Sequence, residues 1–120
     1  MATLTPTLTL TSTNAMSDSL NISFTDSLTV TDPIEIAKVT ATTSSTPVLV
    51  VGASDSNTYY VYLKNTDTSN FVSVLDKDDN IFMKIHAGEF VFFTLAPSEG
   101  LKLDADTASC IVEYGLFKKG

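Results

Sequence analysis

His86 and Glu89 are the first pair of side chains in this chain that could do chemistry. His86 is the single histidine among the 120 residues, and Glu89 follows it across the short segment HAGE. An imidazole and a carboxylate suit general acid–base catalysis, which also needs a nucleophile or a metal ion. No motif supplies that third group. We therefore expect His86 to be a solvated residue at a strand end, and we predict no catalytic residue and no enzymatic activity.

The run DKDDN could bind calcium through its oxygen atoms. Asp76, Asp78 and Asn80 occupy the first three ligand positions of a calcium loop, D-x-[DN]-x-[DN]. The match then fails, because Ile81 replaces the glycine at the sixth position and Ala87 replaces the glutamate at the twelfth. Asp and Asn also stabilise turns through local hydrogen bonds, so the pattern favours a hairpin turn, with calcium binding as the alternative.

The remaining candidate ligands are few. Asp104 and Asp106 in DADT have the same turn interpretation as DKDDN. Cys110 is the one cysteine, so an intrachain disulfide is excluded, and its place in the alternating run ASCIVEY predicts a small core residue. One histidine and one cysteine cannot form a zinc site of the usual kind. We predict no metal site and no cofactor.

Aromatic residues form the second group of candidates. In YYVYLKN, Tyr60 and Tyr62 alternate with Tyr59 and Val61, so tyrosines point to both sides of one strand. Tyrosines on an outer face suit a protein interface or carbohydrate stacking, unless both faces are covered within the domain.

The run FVFFTL repeats this pattern. Phe90 and Phe92 share one parity, and Val91 and Phe93 share the other, so both faces of the strand are apolar. A subunit interface would cover the outer face, and so would an N-terminal arm of the same chain. Our candidates for interface residues are Tyr60, Tyr62, Phe90 and Phe92.

Composition excludes several classes of partner. The formal net charge is −7, and all seven basic residues are lysine. Without arginine the chain lacks bidentate contacts to phosphate or guanine, which argues against nucleic-acid binding. An acidic surface also argues against anionic lipid. The opening MATLTPTLTL has no basic stretch followed by a long apolar run, so we expect neither a signal peptide nor a membrane helix, and folding in a cytoplasm.

The elements that must position these residues are strands. Apolar residues alternate with a period of two, and turn signals recur about every 8–12 residues. This pattern predicts an all-β fold, a single-domain antiparallel β-sandwich, jelly-roll or Ig-like, of about eight short strands. HAGE is predicted as a tight hairpin with Gly88 at positive φ. In IEIAKVTATT the parity changes between Ile36 and Ala37, which predicts a bulge or bend, with a short helix as the alternative.

The chain changes character partway along. Residues 1–46 are rich in Thr and Ser and contain a single aromatic residue, Phe24, whereas residues 47–120 contain every tyrosine and the other phenylalanines. We expect residues 47–120 to form the aromatic-rich core of the domain. Residues 1–46 would add strands over it, or extend as an arm that pairs with a neighbouring subunit.

A resemblance extends this interpretation. The segments YLKNTDTSNFV, HAGEFVFFTLAP, GLKLDAD and CIVEYGLF, in this order, resemble small virion proteins of tailed bacteriophages. The resemblance covers residues 58–117 well and the Thr-rich opening loosely. Its motifs are turns and strands, so it brings no family active site to this chain.

The resemblance implies a β-sandwich or jelly-roll module that assembles in many copies on a phage particle. A capsid decoration or cement protein is the first interpretation, and a tail, neck or fibre component is the alternative. The implied partners are the major capsid protein or other virion proteins, and the implied location is the virion. A homo-oligomer, with a trimer as the guess, follows from the same resemblance. A carbohydrate-binding β-sandwich module is the competing class.

Overall fold

The computed structural model describes residues 1–31 and 35–120, and its regular elements in that part of the chain are all strands. The twelve strands are β1 (Ala2–Leu4), β2 (Thr7–Ser12), β3 (Leu20–Thr25), β4 (Leu28–Val30), β5 (Glu35–Ala41), β6 (Val48–Val51), β7 (Tyr59–Asn65), β8 (Val72–Leu75), β9 (Ile81–Ile85), β10 (Phe90–Leu95), β11 (Leu101–Ala105) and β12 (Cys110–Lys118). The all-β prediction is confirmed. Branched and aromatic side chains at a period of two favour the extended backbone, whose alternate residues face opposite sides.

The chain forms two compact units, Met1–Asp32 with Gly120, and Pro33–Lys119. The sequence analysis ended the N-terminal segment at residue 46 instead. Strand β5 lies before that point, yet it pairs with β12 along its whole length. Its alternation places Val39 and Ala41 with the core residues. A change in composition does not reveal such a boundary, because strand pairing depends on which side chains fit the interior.

The larger unit is a sandwich of two four-stranded antiparallel sheets, ordered β10-β7-β12-β5 and β6-β11-β8-β9. Successive strands alternate between the two sheets, except for the hairpin β8–β9. If β5 to β12 are renumbered as strands 1 to 8, the two sheets have the orders 6-3-8-1 and 2-7-4-5. This is the jelly-roll order, so the strand order decides between the jelly-roll and Ig-like alternatives.

The core lies between the two sheets. It contains inward-facing residues of both sheets: Ala41, Val51, Val61, Leu63, Val72, Val74, Ile85, Leu95, Leu101, Leu103, Ala105, Cys110, Val112 and Leu116. Cys110 is free and fully buried, as its place in an alternating run predicted, and burial raises the pKa of its thiol. Cys110 therefore acts as a small packing residue of the core.

Strand β5 corrects two expectations. Its register with β12 runs without a shift from Ala41 opposite Cys110 to Glu35 opposite Leu116, so the bulge between Ile36 and Ala37 is wrong. The helix alternative is also wrong for residues 35–41, while Ile34 lies outside the described residues. The change of parity has a simpler cause, because Ile36 faces away from the core while Val39 and Ala41 face inward.

Asn65 organises one end of the sandwich, although it is polar and fully buried. Its side-chain amide donates to the carbonyl oxygens of Asn70 at 2.9 Å and Ile85 at 3.0 Å. Its side-chain oxygen accepts the N–H of Asp67 at 3.0 Å. These contacts tie the end of β7 to the turn before β8 and to the end of β9.

The backbone of Asn65 holds the HAGE turn. Its carbonyl accepts the N–H of Gly88 and its N–H donates to the carbonyl of Glu89, each at 3.0 Å. Gly88 has φ of +77°, as predicted for this position. The predicted hairpin is wrong, however, because β9 pairs with β8 while β10 pairs with β7. The hydrogen bonds to Asn65 hold the HAGE turn at the point where the chain passes from one sheet to the other.

The smaller unit is a two-stranded ribbon made of two consecutive pairings. Strand β1 pairs with β4, and β2 pairs with β3. Pro6 and Asp26 interrupt the pairing, and the N–H of Asp26 donates to the carbonyl of Pro6 at 3.0 Å. Strand β2 therefore begins directly after Pro6, and β3 ends directly before Asp26.

We expect Asn65→Ala to destabilise the protein by about 2–4 kcal/mol, because the carbonyl of Ile85, the partly buried carbonyl of Asn70 and the N–H of Asp67 would lose their partner. Chemical unfolding followed by circular dichroism measures this change. Asn80→Ala is the matched control, since Asn80 is exposed and its amide makes a single long contact of 3.3 Å to Asp76.

Asn65→Asp separates hydrogen bonding from cavity formation. It keeps the volume of the side chain but replaces two donors with a carboxylate that faces two carbonyl oxygens. We expect it to be at least as destabilising as Asn65→Ala at neutral pH. Unchanged unfolding midpoints in both variants would contradict the role assigned to Asn65.

Candidate protein-binding surface

The four predicted interface residues lie on the outer face of one sheet. The register sets Phe92 opposite Tyr62, and Phe90 opposite Lys64. Tyr60 lies two residues from Tyr62 and therefore shares its face. The side chains of opposite parity on β7 and β10, among them Val61 and Leu63, belong to the core. The fold thus brings the two aromatic runs together on the side of the sheet that faces away from the core.

Four large apolar side chains on this face are exposed. Phe90 is 66% exposed, Phe92 is 42% exposed, Ile36 on β5 is 67% exposed, and Ile111 on β12 is 50% exposed. We call Phe90, Phe92 and Ile36 the aromatic patch. Tyr60 differs, because it is only 8% exposed and its ring stacks on that of Phe92 with centroids 6.4 Å apart. Tyr60 therefore supports Phe92 and presents little surface of its own.

Gly115 gives this face a shallow centre. It lies on β12 between Tyr62 of β7 and Ile36 of β5. The ring of Phe117 lies over it, so a Cβ atom at this position would be 3.0 Å from Phe117 Cε2. A side chain at residue 115 would displace that ring and change the shape of the surface.

A charged row crosses the same face beside the patch. Glu113 on β12 lies opposite Lys64 on one side and Lys38 on the other. The hydroxyl of Tyr62 donates to Glu113 Oε1 at 2.9 Å. Burial, together with this hydrogen bond, raises the pKa of Tyr62 above its ordinary value. The face therefore combines apolar contact area with a fixed polar rim, the usual composition of a protein-binding surface.

Two exposed side chains on the outer face, Ile36 and Ile111, are not among the four predicted interface residues. Ile111 lies opposite Thr40. The signal was present in the sequence, because each has the parity opposite to its core neighbours. At Ile36 the change of parity reflects this outward direction, and the predicted bulge is absent.

The His86–Glu89 pair serves as a turn. Glu89 Oε1 accepts the backbone N–H of His86 at 2.8 Å, and the N–H of Glu89 donates to the carbonyl of His86 at 3.0 Å. The exposed imidazole packs edge-on to Phe71, with ring centroids 5.8 Å apart. The carboxylate thus interacts with the backbone, and the imidazole with an aromatic ring, instead of with each other.

The DKDDN run is the hairpin turn between β8 and β9. Asp76 Oδ1 accepts the N–H groups of Asp78 and Asn80 at 2.9 and 3.0 Å. These hydrogen bonds hold the pKa of Asp76 below its ordinary value. Lys102 Nζ approaches Asp79 Oδ1 at 2.8 Å, so a lysine ammonium already supplies positive charge beside the turn.

The described residues contain neither a metal-binding group of side chains nor a helix that could cross a membrane. Across residues 1–31 and 35–120, no group of three or more His, Cys, Asp and Glu side chains is arranged to hold a metal ion. The same part of the chain contains no helix of the length and apolarity needed to cross a membrane.

We expect calcium and EDTA to leave the melting temperature unchanged, because backbone N–H groups already occupy the Asp76 carboxylate. Asp76→Ala should lower the melting temperature more than Asp78→Ala, since two backbone hydrogen bonds depend on Asp76. Differential scanning calorimetry with and without calcium measures both effects. A rise in melting temperature with calcium that Asp78→Ala removes would establish the calcium alternative.

The pKa of Tyr62 should lie above 10.0, its ordinary value, and Glu113→Gln should lower it without restoring that value, because burial remains. A raised phenol pKa stabilises the fold below about pH 10, and this contribution is lost as the pH rises through the folded-state pKa. NMR of ring-labelled tyrosine follows each phenol. Tyr114, whose hydroxyl donates to Glu35 at 2.9 Å, is the control and should not respond to Glu113→Gln.

A scan against protein-family models and searches of curated proteins and of solved structures find no match to this chain. The jelly-roll fold, the aromatic patch and the sequence itself are therefore the basis for a functional proposal.

Proposed function

We propose that the protein is a non-enzymatic structural protein of a bacteriophage virion, in the first place a capsid decoration or cement protein that binds the assembled head in many copies. The observation that carries the proposal is the aromatic patch, three large apolar side chains exposed on the outer face of a sheet. The resemblance of residues 58–117 to small phage virion proteins supplies the setting.

The physical argument starts from the cost of exposing apolar surface. Burial of such surface stabilises an association by roughly 25 cal/mol per Å2, so an exposed cluster of Phe and Ile favours binding to another protein. A particle offers the same contact many times over. When copies contact both the particle and one another, modest contacts combine into stable coverage.

The fold agrees with this role. Jelly rolls occur in viral capsid proteins and in lectins, and the fold alone does not select between them. The non-enzymatic part of the proposal is supported by the two polar clusters that could have done chemistry. Glu89 and Asp76 each accept backbone N–H groups, so each stabilises a turn.

A carbohydrate-binding module has less support. Stacking on sugars needs an open aromatic ring, but Tyr60 is nearly buried against Phe92. The hydroxyl of Tyr62 is committed to Glu113. The exposed aromatic rings that remain, Phe90 and Phe92, carry no polar group for a sugar hydroxyl, which favours a protein partner.

Quantitative mass spectrometry of purified particles tests the proposal. We expect hundreds of copies per virion, whereas about six or twelve copies would indicate the tail or neck, whose symmetry is lower. Phe90→Ser combined with Phe92→Ser should lower the occupancy at least tenfold, and Thr94→Ala, on the same face of β10, is the control. Particles that contain no copy of the protein would overturn the proposal.

A further inference from the structure

The apolar face of the β2–β3 ribbon is exposed. The register sets Leu8 opposite Phe24 and Leu10 opposite Ile22, which places these four side chains on one face. Their exposed fractions lie between 40% and 59%. A two-stranded ribbon is marginally stable by itself in water, because it has no second layer against which to bury such a face. The ribbon is therefore suited to packing on another surface.

The opposite face of the ribbon is suited to water. Thr7 and Thr25 form a side-chain hydrogen bond across the strands at 2.9 Å, and Thr9 and Ser23 form another at 3.3 Å. Strands β2 and β3 contain no charged residue. One face thus binds solvent through hydroxyl groups, and the other can be buried without desolvating a charge.

We infer that the apolar face of the ribbon in one copy packs on the aromatic patch of a second copy of this chain. The inference deepens the proposed function by assigning the patch to the contact between copies, and rests on it only in treating the patch as a protein-binding surface. Each copy carries both halves of the contact, and a reciprocal exchange of ribbons between two copies would close the assembly.

The dimensions of the two surfaces agree. Six residues of extended strand are about 20 Å long, and four strands spaced at about 4.8 Å form a sheet of similar width. A ribbon of two strands can therefore lie along or across the outer face of β10-β7-β12-β5. Face-to-face packing of this kind, with side chains interdigitated between layers about 10 Å apart, is the ordinary way in which sheets bury apolar faces.

The charges beside the two surfaces are locally complementary, although both units are acidic overall. Residues 1–32 contain three aspartates and no lysine, and residues 33–119 contain seven lysines and eleven carboxylate side chains. On the sheet, Glu113 lies between Lys38 and Lys64, so this row of three charges is net positive. Asp18 and Asp26 flank the two ends of β3, while Lys38 and Lys64 flank the aromatic patch on its sheet. Two copies with a net charge of −7 repel each other in general, and this pairing is one that sets acidic residues against basic ones.

The area supports a reciprocal contact. At about 100 Å2 for each large apolar side chain, the four residues of the ribbon and the three of the patch offer on the order of 700 Å2 per contact. Specific interfaces bury about 1,200–2,000 Å2. A single contact falls short of this range, and two reciprocal contacts lie within its lower part.

Packing of one ribbon face on another ribbon face explains less. It would bring the aspartates of two copies together, and it would bury on the order of 800 Å2 in a dimer. It would also leave Phe90, Phe92 and Ile36 uncovered. The contact between ribbon and patch covers the apolar face of the ribbon and the aromatic patch at once, and leaves Leu49, Ile81 and Phe82 of the other sheet exposed.

Sedimentation of the purified full-length chain, without phage particles, tests the inference. We expect oligomers in the micromolar range. Leu8→Ser with Phe24→Ser in the ribbon, and separately Phe90→Ser with Phe92→Ser in the patch, should each raise the dissociation constant at least about 100-fold. Thr9→Ala with Ser23→Ala, on the polar face of the ribbon, should leave it unchanged.

Mixing the two apolar variants tests the pairing itself. The ribbon variant keeps an intact patch and the patch variant keeps an intact ribbon, so an equimolar mixture should form a dimer through one good contact. This dimer should be weaker than the wild-type assembly and stronger than either variant alone. Contact between two ribbons predicts no such rescue.

Three outcomes would overturn the inference: a wild-type chain that stays monomeric at about 100 μM, variants that remain oligomeric, and a mixture without rescue. The melting temperature of each variant, followed by near-ultraviolet circular dichroism, shows whether the sandwich remains folded. Because no particle is present, the protein can fail to bind phage heads while the ribbon contact holds. In the opposite case, the protein binds phage heads but stays monomeric in sedimentation, and only the ribbon contact fails.

Discussion

The hydrogen bonds of Asn65 are the constraint on which one end of the sandwich and its candidate binding surface both depend. This fully buried residue uses its two amide donors, its side-chain oxygen and both backbone groups to join the end of β7 to three neighbouring segments. A buried amide is favourable only when its polar atoms are paired, and here the pairing also directs the chain. By holding the HAGE turn against β7, Asn65 sends β10 into a different sheet from β9 and sets Phe90 and Phe92 beside the tyrosines.

The aromatic residues on the outer face of that sheet differ in how far they are buried. Tyr60 and Phe117 are largely buried and support their neighbours, and the hydroxyl of Tyr62 is held by Glu113. Phe90 and Phe92 are left exposed. A face designed for water would carry polar side chains at these positions, as the Thr and Ser side chains do on one face of the ribbon. The apolar face of the ribbon has the same property as the patch. We propose these two surfaces, among the exposed apolar side chains of the described residues, as binding surfaces.

Polar clusters that suggest chemistry in a sequence often stabilise turns in a fold, and this chain contains two examples. Asp76 and Glu89 have the neighbours expected of a calcium loop and of an acid–base pair. In the structure each carboxylate accepts backbone N–H groups within its own turn. The reason is proximity, because a side chain two to four residues from an unpaired N–H reaches it at little entropic cost. A short acidic motif is therefore weak evidence for a ligand when a turn has the same residue requirements.

The sequence by itself determined the strands and the residues that share each face. YYVYLKN and FVFFTL became β7 and β10 with the expected alternation, and Gly88 took the expected positive φ. The buried position of Cys110 also followed from local pattern. Such features depend on neighbours in the chain, which a period of two and turn chemistry report directly. The tertiary structure alone decided the jelly-roll order, the outward direction of Ile36, the burial of Tyr60 and the role of Asn65. Each of these depends on which distant strands pair, and alternation shows that two residues share a face without showing whether that face meets the core or the solvent.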